Sequence, residues 1–396
     1  MEAVKGGQRS DMVDAIVIGG GVIGTSVLYH LAKEGVKGIL LEKGELADGT
    51  SGKCDGNVQR GDTKPGIDFD FVKLGQEMFP KIAEELKIDI QWKKETSLMV
   101  FETEQECEAG KAFVKEQQKN GRSIKYLDQR EMLECEPNLA KDLHGGCQFE
   151  NDGRVNPMLL TIGLADGAKR LGASIKEGGR VIGIRYDSLG GVYTVKTETE
   201  IYCAPVVINA AGVWAPVIGA FLDIDIPIIP RQGQILVAEA GELPVSQTVT
   251  EFGYLMTKYA KGDYKRNVTP DMEEFGIAMV VEPTEAGNFL VGSSRQFRGY
   301  DFKTDAKVMR VLARRAMRFF PCIRDINVIR SYAGLRPYTK DQRAILSKTE
   351  LKGFYVAAGH EGGGITQALV TGRFISELVL GKPTCIDAAP FSINRF

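Results

Sequence analysis

Residues 19–24 read Gly19-Gly20-Gly21-Val22-Ile23-Gly24, the spacing G-x-G-x-x-G. The chemistry of such a run belongs to its backbone. Gly19 permits a tight turn, Gly21 lets the main chain approach a pyrophosphate, and Gly24 lets the next helix pack close to its strand. Val22 and Ile23 open that helix, whose free N–H groups and positive dipole end suit an anion. Glu42 lies 18 residues beyond Gly24. A carboxylate there accepts hydrogen bonds from ribose hydroxyls and repels a 2′-phosphate, which disfavours NADP. Lys43 adjoins it and is counted with the cofactor contacts.

Three further runs point to FAD rather than NAD. Gly49-Thr50-Ser51-Gly52-Lys53-Cys54-Asp55-Gly56 offers small hydroxyl residues and glycines beside a pyrophosphate and ribityl chain; the alternative is a polar surface loop. Val206–Trp214 ends a buried strand in small residues, Ala211 and Gly212 among them, where ligands bind open α/β sheets; the alternative is close helix–sheet packing. Gly359-His360-Glu361-Gly362-Gly363-Gly364-Ile365 turns from a strand into the final helix. A helix N-terminus there stabilises the negative charge of a reduced flavin; the alternative is a plain connector. His360 either bonds the flavin or shapes the turn, and His30 is assigned a structural role.

The elements that position these residues follow from periodicity. Asp14–Ile18, a helix over 22–33 and Gly38–Leu41 form a parallel strand–helix–strand unit. A helix is expected over 68–87 with a break at Pro80, a strand over 92–101, and a helix over 103–120 started by a Thr103/Glu106 capping box. Asn156-Pro157 starts a helix that ends at Gly172. Short strands follow near 173–177, 180–186, 192–197, 199–203 and 206–209, with Gly190-Gly191 as a hairpin turn. Residues 227–300 carry antiparallel strand signals, 304–320 an amphipathic helix, and 353–358 a last strand before a helix through Leu380. Residues 1–12 read as a frayed tail.

Composition removes several function classes. The chain has 396 residues, enough for two domains. Its net charge of −2 gives no electrostatic case for nucleic acid or anionic membrane. Seven cysteines without C-x-x-C spacing, and three histidines, argue against a disulfide framework or a metal site and fit free thiols in a reducing cytoplasm. The apolar stretch 14–32 is interrupted by three glycines and has no cleavage site, so neither a signal peptide nor a membrane span is expected.

Together these motifs resemble the D-amino-acid oxidase/glycine oxidase/sarcosine oxidase family of FAD oxidoreductases. Further markers are Val181, expected near the adenine, Pro230-Arg231-Gln232-Gly233-Gln234, and Ala333-Gly334-Leu335-Arg336-Pro337. Gly292-Ser293-Ser294-Arg295-Gln296-Phe297 and the end Pro390-Phe391…Arg395-Phe396 look most like β-subunits of heteromeric amino-acid, opine or proline dehydrogenases. The resemblance implies an α/β fold: a glutathione-reductase-like, Rossmann-type FAD domain (13–90, 150–226 and 325–396) interleaved with an antiparallel-sheet substrate domain (91–149 and 227–324). It also implies Gly334 and Arg336 beside the flavin. Relatives often carry Arg or His near Lys53, so Lys53 is a departure. Monomeric sarcosine oxidases tether flavin through a cysteine near the segment that here reads Tyr332-Ala333-Gly334-Leu335, so non-covalent FAD is expected.

The implied reaction removes a hydride from the carbon next to an amine in an amino acid or N-substituted amino acid, leaving an imine. A guanidinium clamps a carboxylate with paired hydrogen bonds, and the resemblance carries that role onto Arg336; the alternative is a structural ion pair. Tyr254 and Tyr338 are candidates to add a hydroxyl to the same carboxylate, or are packed tyrosines. No acid–base residue is assigned. The expected setting is a dehydrogenase subunit with electron-accepting α/γ partners. The alternatives are a stand-alone oxygen-using oxidase, or a flavoprotein of assembly or tRNA modification.

Overall fold

An apolar tetrapeptide such as Ala15–Ile18 is comfortable only inside a sheet covered on both faces, and all four of its residues are buried. It pairs in parallel with Gly38–Leu41 on one side and Val206–Asn209 on the other. The computed structural model describes residues 8–9, 12–61, 63–241, 245–259, 264 and 266–396. Most of the expected tail therefore lies outside the described residues.

Among those residues the central sheet has six strands, in the order Ile345–Lys348, Phe354–Ala358, Val206–Asn209, Ala15–Ile18, Gly38–Leu41, Ser174–Lys176. Only the outermost pair, Ile345–Lys348 with Phe354–Ala358, is antiparallel. Helices Val22–Lys33, Pro157–Arg170 and Gly364–Val379 share one core with this sheet. A four-stranded sheet built on Val181–Asp187, Val192–Thr197 and Glu200–Ala204 shares another. The Rossmann-type part of the expectation is thus met, including the Asn156 cap, whose side chain accepts from the N–H groups of Met158 and Leu159.

A nine-stranded sheet forms the second layer system, with helix Ala306–Phe319 packed on it. It is antiparallel except where Thr248–Glu251 runs parallel to Lys93–Phe101 at its middle. Its edge strand Val328–Tyr338 pairs along most of its length with Ile229–Ala238. The expected domain limits at 149/150 and 325 therefore cut through this sheet: Gly145–Arg154 is one of its continuous strands, and Val328–Tyr338 belongs to it by hydrogen bonding.

Of the local readings, the break expected at Pro80 is met and the capping box expected at Thr103/Glu106 changes. The helix expected over 68–87 divides at Met78 into Ile67–Glu77 and Phe79–Glu85, because Pro80 lacks an N–H and is accommodated in the first turn of the second helix. The Thr103 hydroxyl caps helix Glu104–Lys119 by accepting from Glu106 N–H, but the Glu106 carboxylate accepts from Glu102 N–H, one residue outside a true box. A full box occurs instead at Asp128/Glu131, before helix Gln129–Cys135. All seven cysteines are free thiols. Among the described residues no helix is long and apolar enough to cross a membrane.

Candidate functional site

The carboxyl ends of Ala15–Ile18 and Val206–Asn209 open onto a groove of about 370 Å³. Gly19 turns the chain there with a positive φ, and a Cβ on it would lie 2.5 Å from the Ala210 carbonyl. Gly24 sits behind the turn, where a Cβ would meet the Gly19 carbonyl at 1.9 Å. These contacts draw Val22–Lys33 against the strands and aim its N-terminus at the groove. Helix Gly364–Val379 presents its N-terminus to the same space through Gly362, Gly364 and Ile365.

Most sequence-predicted cofactor residues meet here. Gly19, Gly21, Val22, Ile23, Glu42, Lys43, Thr50, Ser51, Lys53, Cys54, Ala211, Gly212, Gly334, Arg336, His360, Gly362, Gly364 and Ile365 all line the groove. Glu42 is held rigidly: Gly20 N–H donates to Oε2 at 2.6 Å and Gly44 N–H to Oε1 at 2.8 Å. The Val22 N–H donates to the Ser51 hydroxyl at 3.0 Å, and the Thr50 hydroxyl donates to the Leu335 carbonyl at 2.6 Å. The Lys43 ammonium lies 3.8 Å from the Trp214 ring centroid, and Trp214 stacks on Tyr300 at 4.2 Å. Lys53 turns its ammonium to Asp48. Open space surrounds the missing Cβ of Gly212. A dinucleotide of the FAD type fits this setting: bare backbone along the walls, one helix N-terminus for the pyrophosphate and a second for the flavin, and a fixed carboxylate for ribose.

Four predicted cofactor residues stand apart from that wall. Val181 is a buried core residue, not a groove residue. Gly24 acts from behind, Gly359 makes the turn with positive φ, and Gly363 faces a second cavity. His360 is buried, and its Nε2 shares a hydrogen bond of 3.0 Å with the Thr371 hydroxyl. Of its two proposed roles, shaping the turn is the one this contact performs. Burial pushes its imidazole down to about 3, so it stays neutral.

The second cavity, about 260 Å³, shares Asp55, Arg336, His360, Glu361 and Gly362 with the groove. Arg336 is half-buried between the two. Its Nη1 donates to the Ser294 carbonyl at 3.1 Å and its Nη2 to the Ser293 hydroxyl at 2.8 Å. No carboxylate among the described residues lies within ion-pair distance of it. Burial, then neighbouring Arg295, disfavours its charge. The structural ion pair considered for Arg336 is therefore not formed; Arg231 makes one instead, with Glu361.

Two sequence motifs turn out to be cross-strand partners. Pro230, Arg231, Gln232 and Gly233 stand opposite Pro337, Arg336, Leu335 and Gly334. The Arg336 guanidinium lies over Gly233, where a Cβ would come within 2.2 Å of Nη1. Tyr254 lines the cavity under Arg295, whose guanidinium carbon is 4.0 Å from its ring centroid. Tyr338 lines neither space: Arg231 lies 5.0 Å over its ring and Phe297 packs edge-on. Asp55, Arg295 and Glu361 were not singled out as site residues. They stand inside motifs quoted for other reasons, and only the fold shows them sharing one wall.

The protein family described as FAD dependent oxidoreductase (DAO) matches residues 14–378. Glycine oxidase of Geobacillus kaustophilus is 29% identical over 96% of this chain and 97% of its own. Its crystal structure superposes with a TM-score of 0.87, covering 98% of this chain and all of that one. Hydrogen cyanide synthase subunit HcnC of Pseudomonas protegens is 24% identical over 97% of this chain and 96% of its own. L-proline dehydrogenase from P. horikoshii, 23% identical, has the same fold at TM-score 0.85, covering 98% of each chain.

Proposed function

The chain belongs to the DAO family of FAD-dependent oxidoreductases, and on that premise we propose that it oxidises an amino acid or N-substituted amino acid at the carbon next to the amine, as a dehydrogenase subunit. One observation carries the substrate reading: Arg336, a guanidinium without a carboxylate partner among the described residues, stands in the wall shared by groove and cavity. When bound, FAD supplies the two-electron acceptor that takes hydride from the substrate carbon, which leaves as an imine while the amine proton passes to solvent.

The chain's own residues bind and orient. Ser293 and Ser294 fix the fork of Arg336, which leaves its remaining donors for the substrate carboxylate. Asp55, with no cation in ion-pair distance among the described residues, is the carboxylate offered to the amine. Tyr254 walls the same cavity; Tyr338 acts only through Arg231. Gly19–Ile23, Thr50, Ser51 and Gly362–Ile365 cradle the phosphates and flavin, and Glu42 takes the ribose. FAD is held without a covalent bond. Cys54 is the one cysteine lining the groove, its thiol is pushed up by burial and by Asp55 and Glu282, and its Sγ donates to the Ser51 carbonyl at 3.4 Å.

The dehydrogenase role rests on the Gly292–Phe297 motif and on the similarity to HcnC, a named subunit. The similarity to glycine oxidase favours a second reading, a stand-alone oxidase. Anaerobic absorbance spectra with glycine, sarcosine, proline, D-amino acids and opines test the reaction; bleaching of oxidised-flavin bands by any member is expected. A flavin that no amine bleaches would overturn the reading. Peroxide made on admitting oxygen, at the rate of bleaching, selects the oxidase; its absence selects the dehydrogenase.

A further inference from the structure

The cavity beyond Arg336 holds several charged side chains, and most are already neutralised within the protein. Glu361 pairs with Arg231, and Asp68 with Arg343 through bonds of 2.6 and 2.9 Å. Glu251 is taken by Arg266 and Arg315. Asp341 is held by Arg395, so apart from exposed Lys64 the lining charges left over are two guanidiniums, Arg295 and Arg336, and one carboxylate, Asp55.

Arg295 is held by its surroundings but not neutralised. Its guanidinium carbon lies 4.0 Å over the Tyr254 ring, and its Nη1 donates to the carbonyls of Gly276 and Ser293, both at 3.4 Å. Among the described residues no carboxylate lies within ion-pair distance. Its backbone is pinned too: Gly276 packs so closely that a Cβ there would meet the Arg295 carbonyl at 2.6 Å. The aromatic face fixes the guanidinium plane, which prepares its edge for a planar anion. Two like charges stand close enough that Arg295 is the leading charge disfavouring Arg336. An arrangement of that kind lacks two anions, whereas one α-carboxylate supplies a single one.

We propose that the substrate is an amine bearing two carboxylates, the first held by Arg336 and the second by Arg295. The amine between them faces Asp55. This charge pattern matches an acidic amino acid or an N-carboxyalkyl amino acid, which share it and differ in whether the second carboxylate hangs from the side chain or from nitrogen. The inference rests on the amine-oxidising reading above and narrows its substrate class.

The test has a binding arm and a turnover arm, both on FAD-loaded full-length protein. In the first, glutarate and butyrate, which have no amine to oxidise, are titrated by calorimetry. Glutarate is expected to bind at least about 30-fold more tightly, as a charge-assisted pair implies, and Arg295→Gln to abolish the difference. In the second, anaerobic flavin bleaching is followed with glutamate against norvaline and with N-(carboxymethyl)alanine against N-methylalanine, each as both enantiomers. Preference for the dicarboxylate in the first pair assigns the side-chain class, and in the second pair the N-carboxyalkyl class. Arg295→Lys, which keeps the charge, should retain part of the preference and guards against a variant that merely fails to fold. Equal affinity for glutarate and butyrate in the unmodified protein overturns the proposal. So does an Arg295→Gln protein that loses butyrate as fully as glutarate, since both guanidiniums would then grip one carboxylate. Glutarate selectivity without bleaching by any amine would uphold the two-carboxylate site and overturn the amine-oxidising reading instead.

Discussion

The guanidinium of Arg336 rests on the backbone of Gly233, its cross-strand diagonal neighbour, with no room for a Cβ between them. The side chain proposed to face substrate is thus aimed by an absent side chain on the next strand. Gly233→Ala is expected to swing the guanidinium off Ser293 and Ser294 while leaving the sheet intact. It should lower kcat/KM for carboxylated amines by about 10-fold or more. Steady-state kinetics beside an unchanged circular dichroism spectrum and FAD content would check this.

Arg336→Met removes the proposed carboxylate anchor outright. A loss of about 100-fold or more in kcat/KM is expected, the range for truncating one partner of a desolvated charge pair. An amine without any carboxylate should be oxidised as before. Equal losses on both substrates would assign Arg336 to the cofactor rather than to substrate.

Glu42→Ala removes a carboxylate already fixed by Gly20 and Gly44. It is expected to weaken FAD by about 10- to 100-fold, as for hydrogen bonds to a charged group. Reconstitution of the apoprotein, followed by quenching of flavin fluorescence, gives the dissociation constant.

His360 sets a pH dependence of stability. Burial holds it at about 3, against 6.5 ordinarily. Between those values the unfolded chain takes a proton that the folded chain refuses. Stability therefore falls as pH drops from 6.5 towards 3, and this residue has no effect above 6.5. Over that window the unmodified protein should lose up to about 1.4 kcal/mol per pH unit more than His360→Gln. Urea unfolding at pH 7.5, 6.5, 5.5 and 4.5 measures the difference; parallel curves would contradict it.

Arg315 bridges Glu102 and Glu251, all three side chains at most 5% exposed. Glu251 also lines the second cavity. Arg315→Met removes the partner the two buried carboxylates share, leaving Glu251 to Arg266 and Glu102 to Arg318, and is expected to cost about 1.5–3 kcal/mol, the range for hydrogen bonds to charged groups. Chemical denaturation with the midpoint and slope fitted separately would show it.

The groove was readable from sequence because its chemistry is local. Gly19, Gly21 and Gly24 do their work within six positions, and Glu42 follows at a fixed strand–helix–strand spacing. The cavity was not, because it is assembled across strands. Nothing in the run Gly292–Phe297 says that Arg295 stacks on Tyr254, or that Ser293 holds a guanidinium 43 positions later. Tyr338 follows Pro337, which lines the groove, but its own ring packs against Arg231 and Phe297, and Val181 packs in the core beside the four-stranded sheet. Ala333–Pro337 is legible as a motif, but the membership of its strand, Val328–Tyr338, in the larger sheet depends on a partner about a hundred residues earlier.

The Thr50 hydroxyl meets the Leu335 carbonyl across 285 positions of chain. During synthesis the glycine turn at residue 19 leaves the ribosome early, yet the opposing wall of the groove emerges only with the last sixth of the protein. A nascent chain stalled before Gly334 has one jaw of a clamp and nothing to close against. The groove is therefore complete only once both ends of the chain have found each other.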